Sequence, residues 1–177
     1  MVTSPAADQA APGALEQVRA LINSWLIPND TRQPVDKLGQ LSRDRGWGVR
    51  AGASMRWLRD DLRLAVETRD SDGLNNWIAQ TDLRPHVTGS GIGYDHAPGP
   101  AGDLMAVVVS AISDGTWRRL KACPDCRWVF YDHTRNGSKR WCLMTAGGPD
   151  GRACGTIAKV RRYRERWAVS DDRPAGD

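Results

Sequence analysis

All four cysteines of this 177-residue chain fall within 32 residues, in the pattern C-x2-C-x15-C-x11-C formed by Cys123, Cys126, Cys142 and Cys154. Tetrahedral zinc needs four soft or borderline donors converging on one point, and a two-residue spacer lets a single knuckle offer two thiolates. Four protein ligands leave no position for water, so the pattern predicts one structural Zn2+ per chain rather than a catalytic one. Two alternatives stay open at this level: a pair of disulfides, which needs an oxidising compartment, and four unrelated buried thiols. His133 lies in the same stretch as a substitute ligand, but four cysteines suffice without it.

Charge is distributed unevenly around this cluster. Residues 117–168 carry thirteen Lys or Arg against four Asp or Glu, a formal +9, while the rest of the chain is −5. Four thiolates on one zinc ion contribute about −2 and leave the segment basic. Clustered Lys and Arg displace condensed counterions from phosphates, the electrostatic footprint of a nucleic-acid binder. A merely solvated basic surface is the alternative. Residues 155–167 predict a helix with Ile157, Val160, Tyr163 and Trp167 in one apolar arc, and with Lys159, Arg162 and Arg166 on a face away from it. Anchored by a zinc ligand at its start, such a helix can lie against or enter a DNA groove.

The run C-P-D-C-R-W-V-F-Y-D-H-T-R-N-G-S-K-R-W-C, followed by C-G-x-x-A-K-V-R-R-Y-R, resembles the CGNR zinc finger family of bacterial regulators. Residues 15–120 resemble, by pattern more than by signature residues, the ABATE domain that usually precedes that finger. The resemblance implies a transcription regulator whose finger binds double-stranded DNA. It departs from the family in two places. The naming motif Cys-Gly-Asn-Arg reads Cys154-Gly155-Thr156-Ile157 here, and eleven residues rather than about four separate the last two cysteines. That Gly-rich insert reads as a loop, and lengthening a loop costs little closure entropy. The residues expected to meet DNA are Arg127, Arg135, Asn136, Ser138, Lys139, Arg140, Lys159, Arg161, Arg162 and Arg166.

Residues 1–13 read as disordered, 14–116 as a helical ABATE-like regulatory domain, 117–168 as the finger and 169–177 as a flexible tail. The fold class expected is mainly α with a small β element, an α+β arrangement. Helices are predicted over 14–26 (Leu15, Val18, Ile22, Trp25 and Leu26 inward), over 34–45, and from an N-cap at Ser54 through Met55, Leu58, Leu62, Ala65 and Val66. A short helix carries Leu74, Trp77 and Ile78. Residues 84–96 predict a hairpin turning at Gly89-Ser90-Gly91. Residues 104–112 are apolar nearly all round, which suits a core helix or a subunit interface. No flexible linker precedes the finger, so it is expected to pack on the first domain. Trp128, Phe130 and Trp141 are assigned to packing around the metal, since a module this small needs burial as well as zinc.

The N-terminal domain is expected to sense a small-molecule effector or to form a homodimer, and a ligand pocket there is assigned to Asn23, Trp25 and Arg59. Nothing argues for catalysis. Asp60 and Asp61 point different ways on a helix, and His86 with His96 is the one further pair that can approach across the hairpin. Walker, nucleophile-elbow and zincin motifs are absent from the sequence. With no apolar run of 18 residues and no signal-like start, a cytoplasmic protein without membrane attachment is expected. The rival functions are an RNA or single-strand binder, with Trp128, Tyr131 and Trp141 stacking on bases, and a zinc-organised protein-interaction module.

Overall fold

The protein is described from a computed structural model covering residues 9–28, 31–143 and 153–171; for Arg50 and residues 165–171 only the backbone is described. The order of elements is α1 (Leu15–Ile22), β1 (Trp25–Leu26), β2 (Val35–Asp36), α2 (Leu38–Asp44), α3 (Val49–Thr68), α4 (Asp72–Gln80), β3 (Arg84–Thr88), β4 (Gly91–Asp95), α5 (Pro100–Ser113), a 3-10 turn at Trp117–Arg119, β5 (Leu120–Ala122), β6 (Val129–Tyr131) and α6 (Cys154–Asp171). The strands form three separate antiparallel pairs, β1–β2, β3–β4 and β5–β6. This is the mainly helical α+β fold that the periodicities predict.

Heptad-like apolar spacing places α1, α3 and α5 around one core. Val18, Leu21 and Ile22 from α1, Met55, Leu58 and Leu62 from α3, and Met105 and Val108 from α5 are all fully buried. Leu74 and Trp77 of α4 cover one flank, and the Trp77 indole N–H donates to Asp61 at 2.7 Å. The apolar helix α5 is a core helix, with Pro100 in its first turn, where no amide donor is needed. In the hairpin, Val87 pairs with Ile92 and Thr88 with Gly91 across the predicted turn.

Three boundaries differ from the sequence expectation. The first helix ends at Ile22 rather than Leu26, because Asn23 turns away to bond the finger and Trp25–Leu26 pairs with Val35–Asp36. The second helix starts at Leu38, not Pro34, since residues 35–36 are committed to that ladder. The third starts at Val49, ahead of Ser54. Gly48 supplies the extended N-cap conformation, and Gly52 costs a helix only about 1 kcal/mol relative to Ala.

The N-terminal segment also corrects its expectation. Residues 9–13 are ordered: Gln9 is buried, its amide donating to the Cys142 carbonyl and accepting from the Trp128 indole N–H, both at 3.0 Å. Composition alone concealed this, because one buried amide is enough to seat the segment. Residues 1–8 lie outside the described residues. At the other end, α6 runs to Asp171 and takes in the first residues of the expected tail; residues 172–177 lie outside the description. Among the described residues no helix is long and apolar enough to cross a membrane.

Candidate metal centre and nucleic-acid interface

The β5–β6 hairpin settles how the finger meets the helices. Side chains alternate across a strand, so Val129 and Tyr131 face one way and Phe130 the other. Val129 and Tyr131 join Leu120 in the helical core, whereas Phe130 is buried against the cysteines with Trp128, Trp141 and Leu143 packed around it. One three-residue strand therefore belongs to two cores. The sequence boundary near Thr116 marks a change of pattern but no break in packing.

On the second core all four cysteines are buried, and their sulfurs lie within 4.8 Å of one another. The Cys126–Cys142 separation is 3.4 Å and the Cys142–Cys154 separation 3.7 Å. Tetrahedral Zn–S bonds of about 2.3 Å require sulfurs about 3.8 Å apart, so the cluster is sized for one zinc ion. The cysteines are free rather than paired in disulfides, which removes that alternative. Electrostatics point the same way. Neighbouring thiols, Cys126 first, hold Cys123 well below its ordinary value. Cys142 and Cys154 are pushed up, by Cys123 and then by Cys126. Four such groups ionise together only around a cation. The donor set fits a single structural Zn2+.

Each ligand is positioned locally. The first knuckle turns at Arg127, in the left-handed region at φ 59°, with its N–H donating to the Cys123 carbonyl at 2.8 Å and the Cys123 N–H donating to the Trp128 carbonyl at 2.9 Å. Cys154 opens α6, and the Gly155 N–H donates to the Leu143 carbonyl at 3.0 Å, closing the long spacer. Residues 144–152 of that spacer, expected as a loop, lie outside the described residues. His133 is not in the cluster; its Nε2 donates to the Ala10 carbonyl at 2.7 Å.

The loop between β6 and Cys142 is organised by Asp132, which is fully buried. Its carboxylate accepts from Lys121 Nζ, from the Thr134 N–H and hydroxyl, and from the Lys139 N–H, at 2.6–2.9 Å. Burial pushes this carboxyl up, but the bonds from Lys121 and Thr134 outweigh it and hold it down at about 2. Lys121 also donates to the Gly137 and Lys139 carbonyls, and Arg119 to the Asp132 and Thr134 carbonyls. Asp132-x-Thr134 is an Asx-type turn sequence, the one cue by which this role was legible.

The expected DNA residues divide into two groups. Arg127 is occupied: it makes a two-pronged pair with Glu67 of α3 (2.6 and 3.1 Å) and lies over Trp25. Lys139 lies over the Phe130 ring and Arg140 over Trp141. Arg135, Asn136 and Ser138 are exposed on the loop that Asp132 staples. Lys159, Arg161 and Arg162 are exposed on α6; the Arg166 side chain lies outside the described residues. The apolar arc of α6 does not bury as expected. Ile157 is half-buried, but Val160 and Tyr163 are 43% and 54% exposed, because the cysteines, Phe130, Trp128, Trp141 and Leu143 already fill the small core and only the first turn of the helix meets it. In place of the family's Asn-Arg pair, Thr156 is exposed, while Ile157 and Arg161 line a cleft of about 390 Å³ with Arg32 and Trp141.

The residues assigned to the ligand pocket are engaged by the protein itself. Asn23 clasps Val129, its amide donating to the Val129 carbonyl at 2.8 Å and accepting the Val129 N–H at 2.9 Å. Trp25 lies beneath Arg63 and Arg127, and Arg59 is paired with Asp36 at 2.8 Å and Asp60 at 3.0 Å. These groups bind protein, and Asn23 joins the two cores. Sequence reasoning missed their companions. Arg19, 2% exposed, donates to the Val129 carbonyl, and Arg63 donates to the carbonyls of Ile22, Trp25 and Arg127. A buried arginine has no sequence signature, since most arginines at helical spacing are solvated. His86 and His96 do not meet as a pair: His86 faces Asp95 at 3.1 Å and His96 faces Asp103 at 3.5 Å.

A groove of about 530 Å³ runs between α3 and the finger, lined by Arg69, Lys121, Arg127, Lys139 and Arg140 with Glu67 as the acidic member. Comparison with curated proteins yields no match for this chain. The family model of the CGNR zinc finger matches residues 119–167, which contain β5, β6, all four ligands and most of α6. That segment, which carries a four-cysteine site sized for zinc, is similar to the CGNR zinc finger.

Proposed function

We propose that the protein is a zinc-dependent, sequence-specific DNA-binding transcription regulator, a binding protein rather than an enzyme. The observation that carries this reading is α6: fixed at Cys154, it leaves Lys159, Arg161, Arg162 and Arg164 exposed over two turns. An 18-residue helix is about 27 Å long, enough to follow a major groove, and its cations suit phosphates on either wall. Arg69 and Arg140 in the neighbouring groove extend the same positive field. The helical domain serves as the mount for the finger that carries α6, because the β5–β6 hairpin contributes Leu120, Val129 and Tyr131 to its core. A small-molecule effector acting on that domain would reach the finger through this shared core.

The single-strand alternative is disfavoured by its own requirement for exposed aromatics. Tyr131 is buried and the Trp128 indole is bonded to Gln9. The test is selection of bound sequences from a random duplex pool by zinc-loaded protein at near-physiological salt. A recovered motif is the expected result, and a palindromic one would add a two-fold assembly. Salt-dependent retention without enrichment would reduce the reading to phosphate contact alone. No retention would overturn it in favour of the protein-interaction module.

A further inference from the structure

Helix α3 carries an outward strip that the fold leaves uncovered. Val49 is 96% exposed, Trp57 69% and Leu64 48%. At 100° per residue these three, with exposed Ala53, fall within about 80° of the helix circumference. A solvated Trp at the middle of an apolar strip is the composition of a binding hot spot. At the Val49 edge of the strip Arg56 stands just outside the arc and Asp60 just inside it, both exposed, within about 40° of each other.

We infer that this strip is a homodimer interface in which α3 packs antiparallel against α3 of a second copy, about a two-fold axis near residue 58. The argument for a second copy is the self-complementarity of the pattern. A two-fold axis lying across the strip keeps each edge on its own side and reverses its direction. Arg56 then meets the partner's Asp60, and Asp60 meets the partner's Arg56. The same operation sets Leu64 near the partner's Ala53, and brings the two Trp57 rings side by side. A parallel two-fold would instead carry each edge to the opposite side, so that Arg56 and the partner's Asp60 would not meet. Asp60 also receives the buried Arg59 at 3.0 Å, which fixes the helix edge on which the carboxylate sits.

A 20-residue helix face about 30 Å long offers less than the ~800 Å² per partner of a standard interface. The dimer is accordingly weak.

Sedimentation equilibrium of the zinc-loaded full chain, without nucleic acid, from about 1 to 500 μM tests this. A monomer–dimer equilibrium is expected, weakened at least about tenfold by Trp57→Lys, a substitution at a solvated site that leaves folding intact. Arg56→Asp should weaken it as well, and the double substitution Arg56→Asp with Asp60→Arg should restore it. A monomer at every concentration overturns the inference, as does a dimer indifferent to Trp57→Lys. A dimer that Trp57→Lys breaks but the charge exchange does not restore overturns the antiparallel register. None of these outcomes depends on DNA binding, so failure here and failure of the DNA reading are separately visible.

Discussion

The two ends of the zinc finger treat the same kind of residue in opposite ways. At the hairpin end Arg119, Lys121 and Arg127 are engaged with carbonyls and carboxylates of the protein itself. On α6 Lys159, Arg161 and Arg162 stand exposed. A formal charge of +9 over the segment therefore overstates what is available to a phosphate backbone. Charge on its own says that a region is basic; solvation decides which cations have been consumed by folding. The same asymmetry separates a rigid half from a projecting one, which is how a small metal module can be firmly held and still present a surface.

The predictions test that division, taken from the largest expected effect to the smallest. Removing zinc with a chelator, or by Cys142→Ser, should destabilise by several kcal/mol, since metal binding is folding energy in modules of this size. Because Val129 and Tyr131 belong to the helical core, thermal unfolding should show one transition shifting downward. A helical domain melting unchanged beside a lost finger would break the picture of a shared core.

Arg63→Met should cost about 3 kcal/mol in denaturant unfolding, because one buried and two part-buried carbonyls lose their donor. Burial already pulls this guanidinium below its ordinary value, with Glu67 opposing and Arg127 reinforcing the shift, so the site tolerates charge only through those bonds. A loss below about 0.5 kcal/mol would mean that the bonds are dispensable.

The acid limb of the stability curve isolates Asp132. Its folded value of about 2 lies below the unfolded value near 4, so it contributes above pH 4 and its contribution is lost as pH falls through 2. The amount is about 2.5 kcal/mol at neutral pH. Asp132→Asn should remove that part of the acid dependence, which unfolding free energies measured between pH 5 and pH 2 would show.

The smallest effect on folding belongs to α6. Lys159→Ala with Arg162→Ala should change stability by less than about 0.5 kcal/mol. The same pair should lower duplex affinity and reduce the salt slope of binding by about 2. Arg127→Ala should do the reverse, harming folding through Glu67 while leaving the salt slope nearly unchanged. Equal salt-slope losses for both variants would erase the distinction between the two ends.

Much of this was legible in the sequence, for physical reasons. Zinc imposes its ligand spacing on the chain, so the four cysteines declare themselves. The amphipathic stripe of α3, the apolar run of α5 and the Gly-Ser-Gly turn are periodic or local signals that tertiary packing left in place. What stayed hidden was relational. Asn23 reads as part of the first helix and of a ligand pocket, yet it clasps Val129, 106 residues away. Gln9 sits in an Ala-rich stretch that looks unstructured but is held by Cys142 and Trp128. The α6 periodicity was real, but periodicity reports that a face is apolar, not that anything covers it.

The alternating strand β6 has a consequence for anyone dividing this protein. A shortened chain beginning near Trp117 would retain every metal ligand and the match to the finger family. It would also carry Leu120, Val129 and Tyr131 into water, together with a Val129 amide and carbonyl stripped of Asn23 and Arg19. Such a fragment would bind zinc yet self-associate through the bared strand, and its DNA affinity would describe the aggregate. The metal module is separable on paper and inseparable in solution; it has been grafted into its neighbour rather than strung after it.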